Sequence, residues 1–140
     1  MIAGLLAKKG AKDFVEAVSQ HNVPRLMSRF RDDATLIFPG EIPLSGTFNG
    51  KAAIESWLRQ WFDQMPSIQF VIKGVYVKSI LGFRTNVTVI HWDVEETNRR
   101  GRVVKNSGVS VINTRRRKVI RFQDFIFDQG ENFKSSWEAV

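Results

Sequence analysis

The stretch "RTNVTVIHWDVEE" (84–96) decides the fold class. Its side chains alternate, Val87, Val89 and His91 against Thr88, Ile90 and Trp92, which is the period of two that an extended strand imposes. Three neighbouring runs share the period: "IQFVIKGVYVKSI" (68–80), "VVKNSGVSVIN" (103–113) and "KVIRFQDFIFD" (118–128). Short turns rich in Gly, Asn and Arg join them, so the C-terminal half reads as an antiparallel meander.

Upstream the period changes. In "KDFVEAVSQHN" (12–22) Phe14, Val15 and Val18 fall on one helical face, and Pro24 opens a second short helix with Leu26, Met27 and Phe30 as its apolar side. "DDATLIFP" (32–39) turns into a short strand that Pro39 and Gly40 stop. The clearest helix is "NGKAAIESWLRQWFDQM" (49–65), where Ile54, Trp57, Leu58, Trp61, Phe62 and Met65 make a wide apolar stripe. Asn49 is its expected N-cap and Pro66 lies just past its end. The two tryptophans one turn apart read either as core or as the wall of a pocket. Helices first and strands afterwards indicate an α+β domain with the helices on one sheet face.

The chain has 140 residues, 43% hydrophobic and 25% charged, enough for one compact domain spanning 1–140. It has no cysteine, which excludes disulfides, thiolate catalysis and zinc–thiolate sites. No run approaches the length of a membrane span. In "MIAGLLAKKG" (1–10) the lysines follow the apolar run and no cleavage pattern is present, so no signal peptide is read. The absence of cysteine makes a cytoplasmic location the default, although a cysteine-free chain would also survive outside the cell. The net charge of +7 is concentrated in "NRRGR" (98–102) and "RRRK" (115–118). These read as solvated hairpin tips or as a means of steering an anionic ligand. Neither a recognition helix nor exposed aromatics accompany them, so nucleic acid is not expected. The chain has no Gly-rich phosphate loop, and cofactors are not expected.

The order of elements, with "SRFRDDATLIFPG" (28–40), "PLSGTFNGKAAIESWL" (43–58) and the last strand "KVIRFQDFIFD", resembles the nuclear-transport-factor-2-like superfamily, in particular its SnoaL-like polyketide-cyclase branch. That resemblance implies a cone, in which a strongly curved antiparallel sheet surrounds a cavity closed by N-terminal helices. It also implies a homodimer through the outer sheet face. Ketosteroid isomerases share the fold. An ungapped match puts their tyrosine at Phe14, their base at Phe38 and their oxyanion-stabilising acid near Ser110. Phenylalanine neither takes a proton nor donates a hydrogen bond, so that activity is not expected. The Arg-x-Asp motif of the similar limonene-epoxide hydrolases falls on His91-Trp92-Asp93 and their second aspartate on Asp124, with histidine in place of arginine. By resemblance to SnoaL-type cyclases, Asp124 is the acid/base, Asp93 its partner and His91 the orienting group.

If Asp124 faces the cavity, Phe122, Ile126 and Ser110 face it too. On 84–96 the expected inward set is Val87, Val89, His91, Asp93 and Glu95. The opposite set, Thr88, Ile90, Trp92 and Val94, is at least as hydrophobic, so both faces read as buried, and Trp92 reads either as a dimer contact or as core. His91 and Asp93 read either as part of an acid–base cluster or as a satisfied polar pair at the mouth of the cone. One histidine and two carboxylates make a weak metal site, and none is expected, since His21 stands alone at a helix end. Glu41, in the loop "PGEIPLSG" (39–46), reads either as a lid or rim residue or, in preference, as a solvated loop charge. Phe14, Phe38, Trp57, Trp61, Ser110 and Phe122 are the expected ligand-binding positions, and an apolar wall of this kind fits a hydrophobic or polycyclic small molecule.

Overall fold

A computed structural model describes residues 2–79 and 84–138. Helix α1 (Ile2–Ser19) and the short α2 (Val23–Met27) lead into strand β1 (Phe30–Phe38). Strand β2 (Gly46–Asn49) and helix α3 (Lys51–Gln64) follow. Four strands come next: β3 (Ser67–Val77), β4 (Thr85–Thr97), β5 (Val103–Arg115) and β6 (Lys118–Ile126). A short α4 (Glu131–Ser135) closes the described chain. The predicted end of the first meander run, Ile80, lies outside the described residues.

The strands form one six-stranded sheet in the order β2-β1-β6-β5-β4-β3. The meander is antiparallel as expected, whereas β1 joins it by a parallel pairing to β6. The crossover through α3 carries the chain from β2 at one edge to β3 at the opposite edge, and the meander then returns to lay β6 alongside β1. Register shifts between Ile72 and Gly74 on β3 and between Asn113 and Thr114 on β5 bend the sheet. The sheet is curved and open rather than a closed barrel, and the helices lie over its inner face.

The segment 46–49 forms a short edge strand paired with β1. One local expectation is corrected. Asn49 does not cap α3. Its side chain accepts a hydrogen bond from Thr35 Oγ1 at 2.9 Å, and the cap position falls to Gly50, which has no side chain to offer. The α3 stripe is as read: Ile54, Trp57, Leu58 and Phe62 are buried, and Trp57 Nε1 donates to the Leu44 carbonyl at 2.9 Å. Burying an aliphatic side chain of this size contributes roughly 1.5–3 kcal/mol. At the end of α1, His21 turns the chain with a φ of 52° and stacks on Phe62 at 4.4 Å. Burial lowers its pKa, in keeping with an apolar packing role. Glu41 is exposed and lies 3.5 Å from Lys134.

Candidate functional site

Residues directly opposite one another on neighbouring strands project to the same side of the sheet. Ile90 pairs with Ser110, and Ser110 pairs with Asp124. The inner face of β4 therefore carries Ile90, Trp92, Val94 and Glu96, and its outer face carries His91, Asp93 and Glu95. This overturns the expected strand parity. Asp93 accepts from Ser107 Oγ at 2.7 Å and lies 3.8 Å from Lys73 Nζ, both on the outer face. His91 sits beside Phe127, 6.0 Å between rings, also outside. Neither shares the cavity with Asp124. Trp92 is core: it is buried and points inward.

The inner face carries a different polar group. Trp92 Nε1 donates to Ser110 Oγ at 2.9 Å, and Ser110 Oγ donates to Asp124 Oδ1 at 2.5 Å. Gly108 makes this chain possible. A Cβ there would lie 2.8 Å from the Trp92 ring and 2.3 Å from the Phe125 carbonyl oxygen, so only glycine lets the indole lie flat against β5. Beyond it, Trp61 Nε1 donates to Glu96 Oε2 at 2.7 Å, which ties α3 to β4.

These surroundings push the Asp124 carboxyl up to about 7. Burial is the main cause, because a dry site penalises the carboxylate. The Ser110 hydrogen bond opposes the shift, and the charge of Glu96 adds to it. Glu96 is itself raised by burial, against the hydrogen bond from Trp61. The β4 acid whose charge bears on Asp124 is thus Glu96 rather than Asp93, although Glu96 does not line the chamber itself. Glu96 was missed because the wrong parity put Glu95 inside. The apolar run Ile90, Trp92, Val94, followed two residues on by an acid, was the signal that could have found it.

Asp124 and Ser110 line an inner chamber of about 40 Å³ whose walls include Trp57, Trp61, Phe70 and Trp92. Under α1 lies a larger vestibule of about 300 Å³ that reaches the surface. Phe14, Ile90 and Phe122 line both spaces and form the partition between them. Phe14 and Phe122 stack with ring centroids 5.5 Å apart. Of the expected ligand-binding positions, Phe14, Trp57, Trp61, Ser110 and Phe122 line the inner chamber. Phe38 does not, because it is packed between Trp57 and Phe133 at 5.2 and 6.4 Å. Among the described residues, no group of three His, Asp or Glu side chains could hold a metal ion. No described helix is long and apolar enough to cross a membrane.

This open curved sheet, roofed by helices over an acid-bearing pocket, is the architecture of the nuclear-transport-factor-2-like superfamily. The SnoaL-like domain family model matches residues 11–122, and the chain belongs to that family. Among solved structures it is similar to Bal32a from a soil-derived mobile gene cassette, with a TM-score of 0.80 and 16% identity over 96% of this chain and 98% of that one. It is also similar to TerC co-crystallized with polyporic acid, with a TM-score of 0.69 and 18% identity over 89% of each chain. A third is a protein of ketosteroid isomerase-like fold from Catenulispora acidiphila in complex with trimethylamine, with a TM-score of 0.68 and 15% identity over 82% of each chain. At such identities the likeness speaks for the fold. None of the curated proteins matches the chain.

Proposed function

We propose that this protein binds a hydrophobic small molecule beneath α1 and α3 and moves a proton on it with Asp124. The observation that carries the reading is a carboxyl buried among aromatic rings and held near pH 7 while hydrogen-bonded by Ser110. A general acid or base works best when its pKa lies near the working pH, because both proton forms are then populated. Isomerisation, aldol cyclisation and hydration all need a proton moved to or from a carbon or an oxygen of the reactants. Ser110, itself fixed by Trp92, positions Asp124 and leaves its second oxygen for the ligand. A neighbouring structure co-crystallized with polyporic acid supports a small organic ligand for this fold.

The test uses 2-tetralone, a bicyclic ketone with acidic hydrogens next to its carbonyl. The protein should accelerate exchange of those hydrogens for deuterium in D2O, followed by NMR. Asp124→Asn should remove roughly 100-fold or more of the acceleration, and Asp93→Asn should leave it intact. Equal exchange in wild type and Asp124→Asn would end the acid–base reading.

One observation favours a second reading, a binding module without catalysis. The chamber around Asp124, about 40 Å³, holds little more than a water unless the Phe14–Phe122 partition opens. Under that reading a ligand stays in the vestibule, and Asp124→Asn changes stability alone.

The homodimer belongs to the same proposal. Val71, Tyr76, Phe125 and Phe127 are exposed on the outer sheet face, an apolar patch of the kind that marks an interface. Sedimentation showing a monomer at micromolar concentration would remove it. The cytoplasmic setting rests on the composition described above.

A further inference from the structure

The basic stretch "RRRK" (115–118) has no part in the acid–base reading, yet it ends at the cavity. Three cations, Lys9, Arg29 and Arg117, line the vestibule, and none of them has an ion-pair or side-chain hydrogen-bond partner among the described residues. The acid that shares the vestibule, Asp13, is engaged by Arg25 at 3.7 Å. The other basic tip differs: Arg99 pairs with Asp63 at 3.1 Å, and Arg102 donates to Asn132 at 2.8 Å.

Two of the vestibule cations stand where local preferences are broken. The β5–β6 connection is a two-residue turn, with Arg116 and Arg117 at φ 50° and 67°. Such a turn favours Asn-Gly, because a side chain is strained at positive φ. An arginine at both central positions is a cost that the hairpin does not need. The second break is Gly10, in the middle of α1, where glycine weakens a helix relative to alanine. A Cβ there would lie 2.8 Å from Arg29 Nη2, so the missing side chain is the seat of that guanidinium. The Arg29 carbonyl accepts from the Val119 N–H at 2.8 Å, which fixes Arg29 beside the same turn. Both departures converge on one cavity, and departures of this kind gather where function is served.

We infer that the vestibule recognises an amphipathic organic anion: its carboxylate or similar oxyanion is held at the rim by Arg29, Arg117 and Lys9, and its apolar body lies along the trough. Leu6, Val77, Ile112 and Phe122 supply that trough. The far end of the ligand then meets the Phe14–Ile90–Phe122 partition, behind which Asp124 waits. The net charge of +7 draws anions toward the molecule as a whole. This inference names the substrate class for the reading proposed above and rests on it.

The experiment compares 2-naphthoate with its neutral twin 2-naphthamide by calorimetry on the full chain at low salt. Naphthoate should bind about 10-fold more tightly, the worth of one or two charge-assisted contacts at a half-exposed rim. Arg29→Met and Arg117→Gly should each bring the two affinities within about 3-fold. Arg117→Gly relieves the strained turn, so it should melt higher than wild type even as it loses the preference, which separates recognition from folding. Gly10→Ala should behave in the same way by dislodging Arg29. Equal affinities for the two probes, no binding of either at millimolar concentration, or a preference that survives both arginine variants would overturn the inference. Asp124→Asn should keep the preference, because the partition separates Asp124 from the rim. A wild type that exchanges no deuterium therefore fails the acid–base reading alone, and a wild type that shows no anion preference fails this one alone.

Discussion

The two faces of β4 carry similar polar inventories and very different chemistry. Outside, Asp93 meets Ser107 and Lys73 where water still reaches all three. Inside, Asp124 on β6, one strand beyond β5, meets Ser110 under Trp92, walled by aromatic rings. Each aspartate accepts a serine hydroxyl from β5, at 2.7 and 2.5 Å. What separates them is desolvation: a carboxylate in water keeps its hydration, while one between rings loses it and holds its proton longer. Sequence position differs by a single step of strand parity, and that step decides whether an Asp–Ser pair is surface decoration or a candidate proton donor.

The largest expected consequence is a pH dependence of stability. Asp124 holds its proton up to about 7 in the folded state, against an ordinary value of 3.8. Between those limits the folded protein binds more protons than the unfolded chain, so stability falls as pH rises from 4 to 7. It is flat below 4, where both states are protonated, and above 7, where both are ionised. The loss is on the order of 4 kcal/mol as an upper bound. Glu96, raised by burial, adds to the same slope. Urea unfolding across this range should show the decline in wild type and a much shallower one in Asp124→Asn. A wild-type curve that stays level from 4 to 7 would place Asp124 in water and erase the contrast between the faces.

Two glycines sharpen the comparison. Gly108→Ala drives a Cβ into the Phe125 carbonyl and the Trp92 ring, and the carbonyl belongs to a paired strand that cannot give. Destabilisation of about 3 kcal/mol is expected, in the range of strained core substitutions. Gly74→Ala meets the ring of Tyr76, 2.6 Å from its hydroxyl, but that ring is exposed on the outer face and free to swing away. It should cost less than about 1 kcal/mol. Comparable costs at both sites would mean that the outer face is as tightly packed as the inner one.

Much of this could be read from the sequence, and the missing part has a specific cause. The meander was legible because four runs keep a period of two. The α3 stripe was legible because Trp57, Leu58, Trp61 and Phe62 recur on one helical face. Asp124 was named from the family resemblance, and its inward direction follows with Phe122 and Ile126, which share its side of the strand. The orientation of β4 was not. Val87 and Val89 on one face and Ile90, Trp92 and Val94 on the other are about equally apolar, so hydrophobic patterning alone could not orient the strand. A register slip of one residue exchanges the faces entirely. The observed register, Ser110 opposite Ile90, depends on how the 98–102 turn closes, where Asn98 Oδ1 accepts the N–H groups of Arg100 and Arg102 at 3.0 and 2.9 Å. That closure is a matter of turn geometry. The charge spacing in "NRRGR" does not reveal it.

Ser110 links the two buried partners and gives the next effect in size. Ser110→Ala leaves the Trp92 N–H without its acceptor and Asp124 without its donor, both inside the protein. An unsatisfied buried donor costs about 1–3 kcal/mol. The missing hydrogen bond had favoured the carboxylate, so the Asp124 pKa should rise further. Deuterium exchange catalysed by Asp124 as a base should then need a higher pH. A shift of that profile toward lower pH would contradict the assignment of Ser110 as donor to the ionised form.

The smallest effects belong to the outer pair. Lys73 and Asp93 are both about half exposed, 3.8 Å apart, and such pairs contribute under about 1 kcal/mol. Asp93→Asn should therefore stay within about 0.5 kcal/mol of wild type, and His91→Ala, which gives up a ring contact with Phe127, should do the same. That holds for a face that meets water. If a second copy covers Val71, Tyr76 and Phe125, His91 and Asp93 become buried in the assembly, and truncating them costs more. The cost then depends on protein concentration, because dissociation precedes unfolding. Melting both variants at two concentrations ten-fold apart separates the cases: equal small shifts leave the outer face solvated, and a loss that deepens on dilution makes it an interface between copies.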